Sequence, residues 1–79
     1  MKYIVYRNNG EEYMITFPGD SSQPQHKEIA DALGLDNIVS AGFFMEVVGR
    51  KRFLGGSMTL DVESRGDIDR DLYLNQCMR

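Results

Sequence analysis

Lys2–Phe17 reads KYIVYRNNGEEYMITF, and its two halves decide the fold. Lys2 to Arg7 and Glu12 to Phe17 are rich in β-branched and aromatic residues, which suit a pleated surface. Between them lies Asn8-Asn9-Gly10-Glu11. Asn and Gly tolerate the positive φ angles of a type I′ turn, whose twist matches the strands it joins. The segment therefore predicts a β-hairpin. In its second strand Tyr13, Ile15 and Phe17 share one face, and Met14 and Thr16 the other. Apolar residues occupy both faces of the hairpin, with Ile4, Tyr6 and Met14 read as opposite Tyr3, Val5 and Ile15. One face is expected to pack on helices, leaving the other as a contact surface for a partner or a second copy.

Working outward, Pro18 to Gln25 (PGDSSQPQ) reads as a loop and helix entry. Ser22 and Gln25 have capping-box spacing, and Pro24 is tolerated in the first turn. A helix from about Gln25 to Leu33 follows, stopped by Gly34, with Ile29, Ala32 and Leu33 as its apolar stripe. It is short, so tertiary packing must hold it. Ile38 to Val48 (IVSAGFFMEVV) alternates as a strand, and Gly42 within it signals a bulge or a close backbone approach. Gly49 to Arg52 reads as a polar turn, after which Phe53 and Leu54 resume an apolar stretch ended by Gly55-Gly56. Ser57 to Glu63 (SMTLDVE) alternates cleanly, predicting a half-buried strand with Met58, Leu60 and Val62 inward.

Ser64 and Asp67 repeat the capping spacing ahead of a helix from about Gly66 to Cys77. Asp67, Asp69 and Asp71 favour the positive end of its dipole. Its apolar positions are Ile68, Leu72, Leu74, Cys77 and Met78, with Tyr73 flanking. The expectation is one α+β domain over residues 1–79, of order ββαββα. It would have a mostly antiparallel sheet of about four strands and two short helices packed on one face.

Composition narrows the function. At 79 residues the buried core is modest, and burial barely exceeds the entropy lost on folding. The lone cysteine, Cys77, excludes an intramolecular disulfide, and with the lone histidine, His26, it cannot complete a four-ligand zinc site. No cofactor or metal is expected. No apolar run approaches the ~20 residues of a membrane span, and the N-terminus lacks the apolar stretch of a signal peptide, so a cytoplasmic setting is expected. The formal charge of −3 disfavours binding nucleic acid over the whole surface.

Lys27 to Leu35 (KEIADALGL) matches the first helix and turn of a helix-turn-helix, with Ile29, Ala30 and Gly34 in place. The chain beyond then alternates like a strand, where the motif needs a polar recognition helix. Arg50, Lys51 and Arg52, with Lys27, could bind phosphate, but charged residues also guard strand edges and turns. The acids are denser. Asp61, Glu63, Asp67, Asp69 and Asp71 fall within eleven residues and could form a negative surface for a basic groove, with Tyr73 as an aromatic anchor. The same acids also suit a solvated face. No glycine-shaped calcium loop or phosphate loop is present, and nothing in the spacing joins His26 to Cys77 as a nucleophile pair. An enzyme is therefore not expected.

The opening MKYIVYR, the segment Val39-Ser40-Ala41-Gly42-Phe43, the stretch SMTLDV from Ser57, and Ser64-Arg65-Gly66-Asp67-Ile68-Asp69 together resemble the small accessory proteins of bacteriophages and prophages, a group that includes anti-CRISPR inhibitors. The resemblance implies a compact, non-enzymatic protein in the cytoplasm of a bacterial host. It would bind a host defence complex, a CRISPR effector above all, and block its engagement of nucleic acid. The alternatives are a small nucleic-acid-binding or regulatory domain using Lys27, Arg50, Lys51 and Arg52, and a self-associating structural phage protein, such as a homodimer.

Overall fold

The computed structural model of the chain describes residues 1–19 and 24–77. Strands β1 (Lys2–Asn8) and β2 (Glu11–Phe17) form the expected hairpin, in register from Lys2 opposite Phe17 to Asn8 opposite Glu11. Asn9 and Gly10 both take positive φ, at 54° and 81°, as a type I′ turn requires. Met14 lies opposite Val5, so Met14 shares the face of Tyr3 and Val5 while Ile15 joins Ile4. That reverses the face assignment read from the sequence.

Helix α1 (His26–Leu33) follows, and Gly34 closes it at φ 65°. Glu28 reaches back to accept the Gln25 N–H at 3.4 Å. The Ser22–Gln25 box predicted for this entry rests on a residue outside the described ones. The buried face of α1 is His26 and Ala30, with Ile29 partly covered; Ala32 and Leu33 are exposed, contrary to the predicted stripe. The left-handed Gly34 turns the chain back, and the Leu35 N–H bonds the Ala30 carbonyl at 2.9 Å. Leu35 then packs on the core where Leu33 does not.

Strand β3 (Ile38–Val47) pairs antiparallel with β1, and β4 (Arg50–Leu54) pairs with β3, completing a four-stranded sheet of order β2-β1-β3-β4. Register shifts between Val5 and Tyr6. The turn is only Val48-Gly49, so Arg50, Lys51 and Arg52 are strand residues and not turn residues. Gly42 marks a close approach, as its position predicted. A Cβ there would lie 2.6 Å from the Leu54 carbonyl oxygen.

The alternation of Ser57–Glu63 does not make one strand. Only β5 (Gly56–Ser57) and β6 (Val62–Glu63) pair, as a separate two-stranded ribbon. Between them Ser57 Oγ accepts the Leu60 N–H at 3.2 Å, and the Asp61 N–H bonds the Met58 carbonyl at 3.3 Å. Local side-chain and backbone bonds of this kind compete with a ladder. Asp61 takes φ 55° and Met58 stands 99% exposed instead of inward.

Helix α2 (Asp67–Cys77) completes the order ββαββββα. Among the described residues the fold is α+β, and no helix is long and apolar enough to cross a membrane. The helices do not share a face, as the sequence reading had them. On the α2 side Tyr3, Val5, Phe44 and Phe53 are buried, with Leu72 and Tyr73 packed against them. Phe44 and Phe53 stack at 4.9 Å and Tyr3 meets Phe53 edge-on at 5.1 Å. Such pairs add about 0.5–1.5 kcal/mol beyond their buried area. On the other side Ile4, Phe17, Ala30 and Ala41 are buried beneath Ile29, Leu35, Leu60 and Val62. The face expected to be free for a partner is thus largely occupied by α1 and the β5–β6 ribbon. Cover runs out toward the β1–β2 turn, where Tyr13 is exposed, and toward the β3–β4 turn, where Met45, Val47 and Leu54 are exposed. On α2, Ile68 and Leu74 are exposed, against expectation; the Cys77 side chain and Met78 lie outside the described residues.

Candidate functional site

Of the five clustered acids, Asp69 is not on the surface. It is 0% exposed and its two oxygens are saturated. Oδ2 accepts from the Tyr3 hydroxyl at 2.6 Å and the Arg65 N–H at 2.8 Å; Oδ1 accepts from Ser40 Oγ at 2.9 Å and Arg65 Nε at 2.8 Å. The two remaining Arg65 nitrogens grip Glu12 at 2.8 and 3.1 Å, and Arg7 reaches the same carboxylate at 2.7 Å. This chain of charges ties β1, β2 and β3 to the start of α2. Asp69 is therefore a structural group, and its predicted place on a binding face is withdrawn. Sequence reading missed the network because its members lie up to 66 residues apart.

The environment sets the protonation of its members. Hydrogen bonds from Arg65 and then Arg7 hold the Glu12 carboxyl down at about 2, below its ordinary value of 4.5. Burial, with the Asp69 hydrogen bond, pushes the Tyr3 phenol well above its usual value.

His26 is likewise committed to packing. Its Nε2–H donates to the Gly42 carbonyl at 2.9 Å, and its ring meets Phe17 and Phe43 edge-on at 5.7 and 5.6 Å. Burial lowers its pKa from 6.5, with the Lys2 charge adding to the effect. Both depressed values make folding stronger at higher pH. His26 contributes fully above pH 6.5 and its contribution is lost as pH falls below that. Glu12 contributes fully above 4.5 and loses its share as pH falls through about 2. Thermal melts followed by circular dichroism should therefore drop in two stages on acidification, and His26→Gln should remove the first.

The other predicted site residues separate. Asp61 and Glu63 are exposed on and beside the β5–β6 turn, next to Met58. They line an open groove of about 750 Å³ with Met58, Val39 and Arg65. Asp67 and Asp71 are exposed on α2, with Arg70 nearby at 4.0 and 3.6 Å. Tyr73 is not a free anchor. Its ring lies 5.3 Å from Phe44 and 5.6 Å from Phe53, with Lys51 Nζ 5.8 Å from its centre.

The basic candidates divide too. Lys27, on α1, pairs with Asp31 at 3.2 Å, and Lys51 with Glu46 at 3.7 Å. Arg50 and Arg52 make no ion pair among the described residues. The second half of the helix-turn-helix match is β3, a strand. Among the described residues no three His, Cys, Asp or Glu side chains are arranged to hold a metal. A scan against protein-family models and searches of curated proteins and of solved structures found no match to this chain.

Proposed function

We propose that this chain is a non-enzymatic binding protein that masks a basic, nucleic-acid-holding surface of a host defence complex. It would act as the phage-encoded inhibitors of CRISPR effectors do. The observation that carries this reading is the β5–β6 turn, where Met58, 99% exposed, stands beside exposed Asp61 and Glu63. A flexible, polarizable methionine adapts to irregular partner surfaces. Carboxylates around it would steer the encounter with a cationic groove. Asp61 holds φ 55°, a left-handed turn conformation that Asp tolerates and that keeps its carboxylate on the tip of the ribbon. Asp67 and Asp71 would extend the negative field, while Asp69 and Tyr73 support the scaffold beneath. Two of the four basic candidates already hold carboxylates, which weighs against a phosphate-binding patch made of Lys27, Arg50, Lys51 and Arg52 together.

The test is affinity capture from lysates of CRISPR-bearing bacteria, with native and Asp61→Lys/Glu63→Lys baits side by side. A CRISPR ribonucleoprotein recovered in stoichiometric amount by the native bait and lost by the variant is the expected result. Recovery of nucleic acid alone by the native bait, or equal recovery of the complex by both baits, would overturn the reading.

A further inference from the structure

The two edges of the main sheet are treated differently. On β2, the Gln76 side chain stands in for a neighbouring strand. Its Oε1 accepts the Met14 N–H and its Nε2 donates to the Glu12 carbonyl, both at 3.3 Å. On β4, among the described residues, no hydrogen bond reaches the backbone of Arg50–Leu54 from outside the sheet. An open edge of this kind is a template for another strand.

Beside that edge runs a groove of about 630 Å³, between β4 and the first turns of α2. Val47, Arg50 and Arg52 flank the edge on the sheet face away from α2, and Lys51, Phe53 and Arg70 flank it on the α2 face, with Asp67 as the acid of the lining and Glu46 paired with Lys51. In a chain of net charge −3, Arg50 and Arg52 make a local excess of positive charge. Arg50 and Arg52 lack an ion pair among the described residues. Arg70 Nε is buried without a hydrogen-bond partner, and its guanidinium approaches Asp67 and Asp71 only at 4.0 and 3.6 Å.

We propose that this groove takes an extended acidic peptide segment of a partner protein, added to β4 as a fifth strand. The edge calls for backbone N–H and C=O groups, which a peptide supplies and a nucleic acid does not. The cations call for carboxylates. A second copy of β4 brings three more cations to an edge that already carries three. Antiparallel pairing centred on Lys51 would set Lys51 against Lys51 and Arg50 against Arg52, and like charges directly opposed are destabilising. Arg50 and Arg52 lie on the same face of the strand, opposite to Lys51. Acids at alternate positions of the peptide would meet them. This surface is distinct from the β5–β6 turn, and its occupation does not depend on the function proposed above.

The probe is a fluorescein-labelled ten-residue peptide of alternating Glu and Val, with binding followed by fluorescence polarisation. Controls are the Lys-Val counterpart, a Glu-Val peptide N-methylated at alternate amides, and a ten-nucleotide thymidine oligomer. The native chain should bind the Glu-Val peptide. Affinity should fall at least about tenfold in Arg50→Gln/Arg52→Gln and further in Arg50→Glu/Arg52→Glu, at unchanged melting temperature. N-methylation should weaken it comparably, and Asp61→Lys/Glu63→Lys should leave it intact. No binding of the Glu-Val peptide would overturn the proposal. Equal binding of the N-methylated peptide would overturn the added strand, and tighter binding of the oligonucleotide would assign the groove to nucleic acid instead.

Discussion

Asp69→Ala is expected to cost about 3–5 kcal/mol, the range for removing one partner of a buried charge pair. The substitution strips the Ser40 hydroxyl and two Arg65 donors of their acceptor and leaves the Tyr3 hydroxyl only Ser64 Oγ. Small domains have only about 5–15 kcal/mol in total, and this one belongs at the low end, so the variant should be partly or wholly unfolded at room temperature. Urea denaturation against Asp67→Ala and Asp71→Ala makes the comparison internal. Those two sit on the exposed side of the same helix and should stay within about 0.5 kcal/mol of the native chain. Equal losses at all three positions would mean that Asp69 is not the hub described.

The second large effect is steric. Gly42→Ala places a methyl group 2.6 Å from the Leu54 carbonyl oxygen and 3.2 Å from Ser64 Cβ. The oxygen belongs to backbone and cannot swing aside as a side-chain end could. Relief requires β3 and β4 to shift, which disturbs the Phe44–Phe53 stack and the Gly42 carbonyl that His26 binds. A loss of about 3 kcal/mol, the upper end for overpacking, is expected in the same denaturation assay. Gly34→Ala is the contrast, since its Cβ would meet nothing within 4 Å and only the left-handed φ of 65° counts against it. That change should cost about 1–2 kcal/mol.

Local signals in the sequence were legible where local chemistry decides the outcome. Asn9-Gly10 dictates its hairpin turn, Gly34 ends its helix, and Gly42 marks a close approach because no side chain fits there. Reading failed where a local turn competes with a strand pattern and where docking decides the face. Met58, Leu60 and Val62 alternate like a strand, but Ser57 captures the Leu60 N–H and the chain turns. Arg50 to Arg52 look like a turn on composition, yet Val48-Gly49 suffice to reverse the chain and the three pair with β3. The distribution of the helices over two faces depends on where α1 and the β5–β6 ribbon dock, which neither periodicity reveals.

The candidate site was half legible. Residues two apart on a helix lie about 200° apart around the axis. Asp69 therefore had to face away from both Asp67 and Asp71, and three acids counted as one surface could not be one. That signal was present in the spacing. The ligands that make burial tolerable, Tyr3, Ser40 and Arg65, come from elements that only the fold brings together. The exposure of Asp61 and Glu63 did follow from the sequence, although their setting on a tight turn did not.

The central claim is that the chain blocks a defence complex through the acidic β5–β6 surface. Its most direct test is to titrate purified protein into guide-loaded CRISPR effectors, one type at a time, and measure retention of labelled target DNA by gel shift. The account predicts that at least one effector loses target binding at near-equimolar protein, and that Asp61→Lys/Glu63→Lys restores it while the variant melts like the native chain. Undiminished target binding by every effector, or inhibition by the variant equal to that by the native chain, would contradict it.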